Sequence, residues 1–502
     1  MKKNIYKMAM MVTVFSVLEK VFGFIYRIIL SRTLGAEALG IYQTALSVFA
    51  VLLAVVSSGI PMTISRLTTK YRAENNINAQ YSLLSAGLIS GLAFAIPIFI
   101  LLYFGQNWFS FLFTDERCMP IFLILLPSLI FNTIYSAVRG VFWGNKQFVS
   151  YCVIDLIEEL ALMIGGIILV STASNVFLGA ERIAYSVVIA YVLSCTLAVT
   201  WYLIKGGKLK SPAHQFGALL APAIPLTGMR ASNSILNMVI FLILPMRLIA
   251  SHQSSSQAMQ EIGVTLGMVL PILSIPATLI GAIALVLVPE LSENFYKKEF
   301  KLLKENIEKA IKVTTLIACI LIPPLFILGE DMGILLFGNQ HSGEMIRNSC
   351  IILIPTSISM ITTGILNSLG YEKKTCLYFF IGAIATLVCI WFLPQFFGIY
   401  SLIIGIALSA IISTILNFRL LAKTSQLKLI YFKFIFLTIL TILPSILIGY
   451  ILKICIAKSL PLYLSAFLIG GAILLCQGIC CLLFKIIKLQ WIQVFLHRKQ
   501  KN

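Results

Sequence analysis

The chain has 502 residues, of which 59% are hydrophobic and only 11% charged, and its mean hydropathy is +0.97. No soluble globular protein has that balance. The net charge of +19 does not call for a nucleic-acid partner, because the cytoplasmic loops of a membrane protein collect Lys and Arg. The composition predicts an all-α, polytopic membrane protein.

Runs of about twenty apolar residues cross a bilayer as helices. The sequence predicts about fourteen, near residues 9–32, 39–64, 81–104, 119–142, 150–172, 183–204, 218–248, 263–289, 312–337, 348–369, 376–396, 399–421, 432–453 and 461–486. The start, MKKNIYKMAMMVTVFSVLEK, has the charge pattern of a signal peptide. It lacks a small-residue cleavage site, and its apolar run continues to Leu30, so it is read as an uncleaved first span.

The first span carries Glu19, Lys20 and Arg27. A charge near the bilayer centre costs about 2.5–3.5 kcal/mol on insertion scales, so such residues face a wet cavity or a partner. One reading is a cationic cavity within the membrane. The other pairs Glu19 with Lys20 locally and lets Arg27 snorkel to an interface. The second span ends in the proline turn Gly59-Ile60-Pro61.

The fifth span carries Asp155, Glu158 and Glu159, which share one helical face. An acidic stripe in lipid must be paired, protonated or wet. It reads as a cation or proton site, or as the partner of intramembrane arginines; an interfacial position is the structural alternative. In the seventh span, Arg230, Ser232, Asn233 and Asn237 form a polar band between Pro225 and Pro245. Arg230 can grip a phosphate with two hydrogen bonds, whereas Asn residues in a span also serve as interhelical glue. Pro271 and Pro276 predict a kinked eighth span. The connection at about 290–311 places Phe300, Leu303, Ile307 and Ile311 on one helical face, and an amphipathic helix lying on the inner leaflet is expected there.

Orientation follows from Lys and Arg. With the N-terminus cytoplasmic, the inside segments hold twenty-eight and the outside segments seven, alternating at nearly every loop. Both termini are therefore expected inside. A weak repeat pairs GIPMTISR (59–66) with VLVPELSE (286–293), and RGVFWGNKQ (139–147) with LNSLGYEKK (366–374). Each offset is six spans, which preserves orientation and implies parallel repeats. The expected domains are a six-helix bundle over 1–210, a second over 211–425, and two added spans with a basic tail over 426–502.

No catalytic constellation stands out. His214, His252, His341 and His497 lack a carboxylate or Cys at useful spacing, no Walker motif accompanies the glycines, and the eleven cysteines form no metal-binding cluster. No cofactor and no metal are expected, and the chain is read as a non-enzyme.

Together, KVFGFIYRIILSRTLGAEALGIYQTA, SSGIPMTISRLTTKYRAE, RGVFWGNKQFVSYCVIDLIEE, IPLTGMR and LVPELSE resemble the polysaccharide-transporter branch of the multidrug/oligosaccharidyl-lipid/polysaccharide exporter superfamily, particularly its sporulation members. The resemblance runs in order across nearly the whole chain. It implies two six-helix bundles working by alternating access in the cell membrane. It also implies a lipid-linked oligosaccharide as substrate, such as a peptidoglycan precursor for the wall or spore cortex, and cell-wall synthesis enzymes as partners beside the membrane lipids. The lipid II flippases are more distant cousins. Lys20 before VFGF matches a cation in their first-span pattern, but their Arg-Asp pair falls here on Tyr26-Arg27, and their arginines in spans two and eight fall on apolar residues.

On this reading the phosphate headgroup is held by Lys20, Arg27 and Arg230 with Asn233 and Asn237. Glu19, Asp155, Glu158 and Glu159 balance charge or couple transport to Na+, H+ or the membrane potential. The alternative within transport is an ion-coupled exporter of drugs or metabolites. An integral-membrane glycosyltransferase would need an essential residue in an outside loop, with Asp115, Glu116, Asp331 and Glu344 as candidates, and a non-transporting scaffold would tolerate loss of every cavity charge.

Overall fold

The structure is a computed structural model. It describes residues 2–57, 59–212, 215–251, 253–277, 299–425, 431–456 and 460–484, and also 280, 291, 294, 295 and 297. Among these residues all regular structure is helical. The tail lysines from Lys485, the end of the eighth span beyond Ala277 and all of LVPELSE except Leu291 lie outside the described residues.

Twelve helical segments are long and apolar enough to cross a membrane. One of them, Val14–Ala73, has 60 residues. At 1.5 Å per residue that is about 90 Å, three times a hydrocarbon core of about 30 Å. It comprises most of α1 (Lys2–Ser57) and α2 (Ile60–Ala73). Gly35 breaks α1 with a φ of 71° and a ψ of 178°, so this one segment supplies two crossings. Helix α6 (Phe148–Ser171) is also long enough, and only its three carboxylates keep it out of the apolar set. With α6 and the doubled α1, the crossings among the described residues number fourteen.

The chain divides into two compact units, Met1–Gly267 and Met268–Asn502. The first contains α1, α2, α3 (Ile77–Phe104), α4 (Cys118–Leu125), α5 (Ser128–Gly144), α6, α7 (Val176–Ile204), α8 (Gln215–Ala250) and α9 (Ser255–Ile262). Its core packs Ile60 and Ile64 of α2 against Leu83 and Leu84 of α3 and against Tyr135, Val138 and Phe142 of α5. Close helix crossings rest on glycine. A methyl group at Gly40 of α1 would strike the Met259 carbonyl of α9, and one at Gly59 would strike the Ala223 carbonyl and Thr227 of α8.

The second unit contains α10 (Leu270–Leu273), α11 (Phe300–Met332), α12 (Gln340–Ser349), α13 (Leu353–Ser368), α14 (Glu372–Phe392), α15 (Pro394–Phe397), α16 (Tyr400–Ser425), α17 (Tyr431–Leu440), α18 (Ile442–Ile456) and α19 (Leu462–Leu483). The amphipathic face expected on the inner leaflet is part of α11; Phe300 is exposed, but the other three residues face protein. Leu303, Ile307 and Ile311 are buried in a cluster with Ile361, Ile365 and Leu366 of α13 and Leu420 and Leu421 of α16. An apolar stripe on one helical side marks burial, and the periodicity does not distinguish a lipid surface from a neighbouring helix. Two buried amides of this unit pair with hydroxyls. Asn417 donates to Thr362 and Thr363, both at 3.0 Å, and Gln477 bonds Thr441 at 2.8 Å and also Ser445.

Four helices end in one shared turn. The N–H groups of Asn76, Gln147, Gly207 and Tyr371 reach back to the carbonyls of Tyr71, Phe142, Tyr202 and Leu366, at 2.8–3.0 Å. The preceding residues, Asn75, Lys146, Gly206 and Gly370, all have positive φ. This left-handed closure satisfies carbonyls that the helix end leaves open. RGVFWGNKQ and LNSLGYEKK thus end α5 and α13 in the same way. The first puts a lysine where its counterpart puts glycine, at a cost of about 1 kcal/mol.

Candidate functional site

Helices α1 and α6 lie side by side in the first unit. Glu19 of α1 acts on Asp155 of α6, Gly23 meets Glu159, and the Tyr26 ring seats on Gly166. The residue numbers rise together, so the two helices run parallel. This register brings the charges of the first span directly to the acidic stripe of the fifth. The Glu159 carboxyl lies within electrostatic reach of Glu19, Lys20 and Arg27.

Helix α5 adds a cation. Arg139 Nη2 donates to Asp155 Oδ2 at 2.8 Å, and the Tyr135 hydroxyl donates to Asp155 Oδ1. The guanidinium lies 5.0 Å from the Trp143 ring centre, 5.6 Å from Tyr151 and 5.8 Å from Tyr135. Three aromatic rings and one carboxylate therefore enclose it, an arrangement that stabilises a cation away from water. The enclosure is incomplete in hydrogen bonds. Arg139 Nε and Glu158 Oε2 are buried and have no partner. Glu158 faces Ser194 of α7, Asp155, Arg139 and Glu159. A buried carboxylate oxygen with no donor costs stability, so it is a place where a proton or cation would be welcomed.

The remaining predicted residues lie on α8. Arg230, Asn233 and Asn237 are all exposed, at positions three and four apart on the helix. Arg230 Nη2 approaches Met62 Sδ of α2 at 3.1 Å. Lys20 and Arg27 are exposed as well, while Glu19, Asp155, Glu158 and Glu159 are half-buried. Exposed Arg, Lys and Asn on spans this apolar point to an aqueous lining, because lipid would not accept them. The nine predicted residues thus form two groups within one unit: six where α1 meets α6, and three in the polar band of α8 with Met62 beside it.

A second charged group sits at the starts of helices. Asp115 and Arg117 lie in the connection before α4. The Arg117 guanidinium donates to both oxygens of Asp115, at 3.0 and 2.7 Å, and to Glu37 at 2.8 Å. Ser255, in the first turn of α9, donates to Asp115 at 2.9 Å. Arg117 also lies 4.7 Å over the Phe177 ring of α7. Burial pushes the Asp115 carboxyl up, but the hydrogen bonds from Arg117 and Ser255 outweigh it and hold the group below the ordinary carboxylate range. In the second unit, Asp331 pairs with Lys453 at 3.0 Å. The acidic residues that a glycosyltransferase would need free are, at Asp115 and Asp331, engaged in these ion pairs.

Arg139, Tyr135 and the aromatic rings did not figure among the predicted site residues. The signal was present in spacing: Arg139 and Asp155 stand eight residues either side of Gln147, in the turn between α5 and α6. Residues equally far from a helical hairpin turn arrive at the same level, so an opposite-charge pair at such positions predicts a bridge.

Comparison with known proteins agrees with this picture. Stage V sporulation protein B of Bacillus subtilis (strain 168) is 21% identical over 364 residues, covering 69% of each chain. The lipid II flippase MurJ of the same organism is 21% identical over 420 residues, covering 77% of each. Among solved structures, a lipid II flippase MurJ in an inward closed conformation superposes with a TM-score of 0.72 at 14% identity, over 95% of this chain and 99% of the other. An inward-facing multidrug resistance MATE family transporter of the MOP superfamily gives 0.66 at 14% identity, over 81% and 94%. The fold is that of these multi-pass membrane transporters. Residues 5–295 match the family described as polysaccharide biosynthesis protein, more than half of the chain, and the chain belongs to that family.

Proposed function

We propose that the protein is a flippase that carries a lipid-linked oligosaccharide across the cell membrane by alternating access. The observation that supports this most is the exposed pair Lys20 and Arg27 on one face of a membrane-spanning helix, opposite carboxylates on α6. A pyrophosphate-linked sugar carries its charge at the point where lipid and headgroup meet. Lys20, Arg27 and Arg230 offer that charge the donors it loses on leaving water, and Arg can do so with two parallel bonds. Asn233 and Asn237, one and two turns along α8 from Arg230, suit sugar hydroxyls, which need both donors and acceptors.

Glu19, Asp155, Glu158 and Glu159 balance the cations and couple the cycle to H+, Na+ or the membrane potential. Both termini are cytoplasmic on this reading, which the Lys and Arg distribution supports. An inside-negative potential favours outward movement of an anion by about 2.3 kcal/mol per charge per 100 mV, so an under-neutralised headgroup is driven outward without any cofactor. The substrate class is a peptidoglycan precursor for wall or cortex, and the enzymes that make and consume it are the expected neighbours. The chain itself performs transport and no covalent chemistry.

The test is depletion in the host, with any redundant flippase removed, and measurement of the outward-exposed lipid-linked peptidoglycan precursor by an impermeant probe. Depletion should lower the exposed fraction, and wild type should restore it while an Arg27→Ala/Arg230→Ala variant does not. An unchanged exposed fraction would sink this reading. The second reading, an ion-coupled exporter of small molecules, is favoured by the unpartnered Glu158 oxygen and the MATE-like fold. It predicts export that survives the arginine variant and fails in Glu158→Gln.

A further inference from the structure

Lys20, Gly23 and Arg27 are three and four residues apart, so they line one face of α1 with the glycine between the two cations. Gly23 leaves a notch. A Cβ built there would lie 2.8 Å from Glu159 Oε1, so the carboxylate of α6 occupies the space that any other residue would fill. Both flanking cations act on it. They are exposed, whereas Glu159 enters from the neighbouring helix and is half-buried. The Glu159 carboxylate therefore lies at the level of Gly23, between the turns that carry the two cations that would grip a phosphate.

We propose that Glu159 is a tethered stand-in for the phosphate: it occupies the Lys20–Arg27 seat while the site is empty and is displaced when a phosphate or pyrophosphate group binds. This rests on the flippase reading above and deepens it. Carboxylate and phosphate oxygens offer cations the same anionic acceptor, so one can replace the other. Two like charges two turns apart in a membrane span would be costly alone, and Glu159 offsets that cost. The displaced carboxylate is left beside Glu19, a like charge. Binding therefore works against a restoring force. The seat refills as the substrate leaves, which lowers affinity and favours release on the far side.

The test uses the full-length protein in lipid nanodiscs and measures binding of inorganic pyrophosphate by calorimetry. Glu159→Gln should bind at least tenfold more tightly than wild type. Gly23→Ala, which fills the notch and drives the carboxylate out, should shift affinity in the same direction. Glu159→Asp keeps the charge but withdraws it by one methylene, and it should tighten binding by less. Glu116→Gln, a loss of one exposed carboxylate elsewhere, should change nothing. If Glu159→Gln and Gly23→Ala bind no more tightly than wild type while Lys20→Ala/Arg27→Ala abolishes binding, the cations hold the phosphate but Glu159 does not compete for them, and the inference fails alone. Equal tightening by Glu116→Gln would also overturn it, since net charge would then suffice. If the Lys20/Arg27 variant binds as wild type does, the phosphate grip itself fails and takes this inference with it.

Discussion

The first unit contains two groups of paired charges, built on different terms. Around Asp115, each carboxylate oxygen accepts two hydrogen bonds, Arg117 reaches Glu37 as well, and the group ties together the starts of α4 and α9 and the chain just after the Gly35 break. Around Asp155, Tyr135 and Arg139 satisfy one carboxylate, yet Arg139 Nε and Glu158 Oε2 are left without partners. The first group is closed and does the work of a bracket. The second has capacity left over, and a membrane protein that keeps an unsatisfied carboxylate inside a span keeps it for something that arrives. Saturation of hydrogen bonds, more than the presence of charge, separates a structural ion cluster from a working one.

The largest test of this contrast is Asp155→Asn. Breaking one side of this half-buried pair leaves Arg139 uncompensated, at a cost of about 1.5–3 kcal/mol. Thermal unfolding in detergent should show it, and Arg139→Met/Asp155→Leu should regain most of the loss while transport stays absent. Full transport by that double variant would make this group a bracket too. Glu158→Gln separates the roles in another way. It removes the charge and keeps the shape, so stability should stay within about 1 kcal/mol of wild type or rise, while transport falls at least tenfold. Unimpaired transport would remove Glu158 from the working set.

Asp115→Asn should cost about 1 kcal/mol, because Arg117 is partly exposed and water screens the pair, and transport should persist. Its contribution also sets a pH dependence. The folded carboxyl titrates below its unfolded value, so its stabilisation is complete above about pH 4 and is lost as pH falls through the lower folded value. Unfolding midpoints of wild type and Asp115→Asn should therefore converge in acid, and parallel curves would show that the Arg117 bridge contributes nothing. The smallest expected effect is at Lys146. Lys146→Gly should raise stability by up to about 1 kcal/mol, because the other three turns of this kind use Gly or Asn at the left-handed position. A loss instead would mean that the lysine side chain has a role in positioning Arg139 against Asp155.

Much of the architecture was legible in the sequence because hydropathy over about twenty residues is a local property. The fourteen crossings follow from it, including α6, whose acidic stripe violates the usual pattern. The neighbours of that stripe were less local. Arg139 and Asp155 show only as a spacing either side of a turn, and Glu159 meets Gly23 only once α1 and α6 pack, a pair that no windowed reading of the chain contains. The face of α11 shows the opposite limit: its period was visible, but a period cannot say whether lipid or α13 lies opposite. The pairing of Asp115 depends on Arg117, two residues away, folding back on it, which spacing alone does not dictate.

The register of α1 on α6 has a consequence for how the protein is made. Arg27 emerges from the ribosome about 130 residues before Glu159. At roughly 5–20 residues per second that is a wait of roughly seven to twenty-five seconds. During that interval the first helix holds Lys20 and Arg27 without the carboxylates that later compensate them. It is a poor candidate for immediate release into lipid, and its retention beside the insertion machinery until α6 is complete would make assembly of the first unit a matter of timing as much as of affinity.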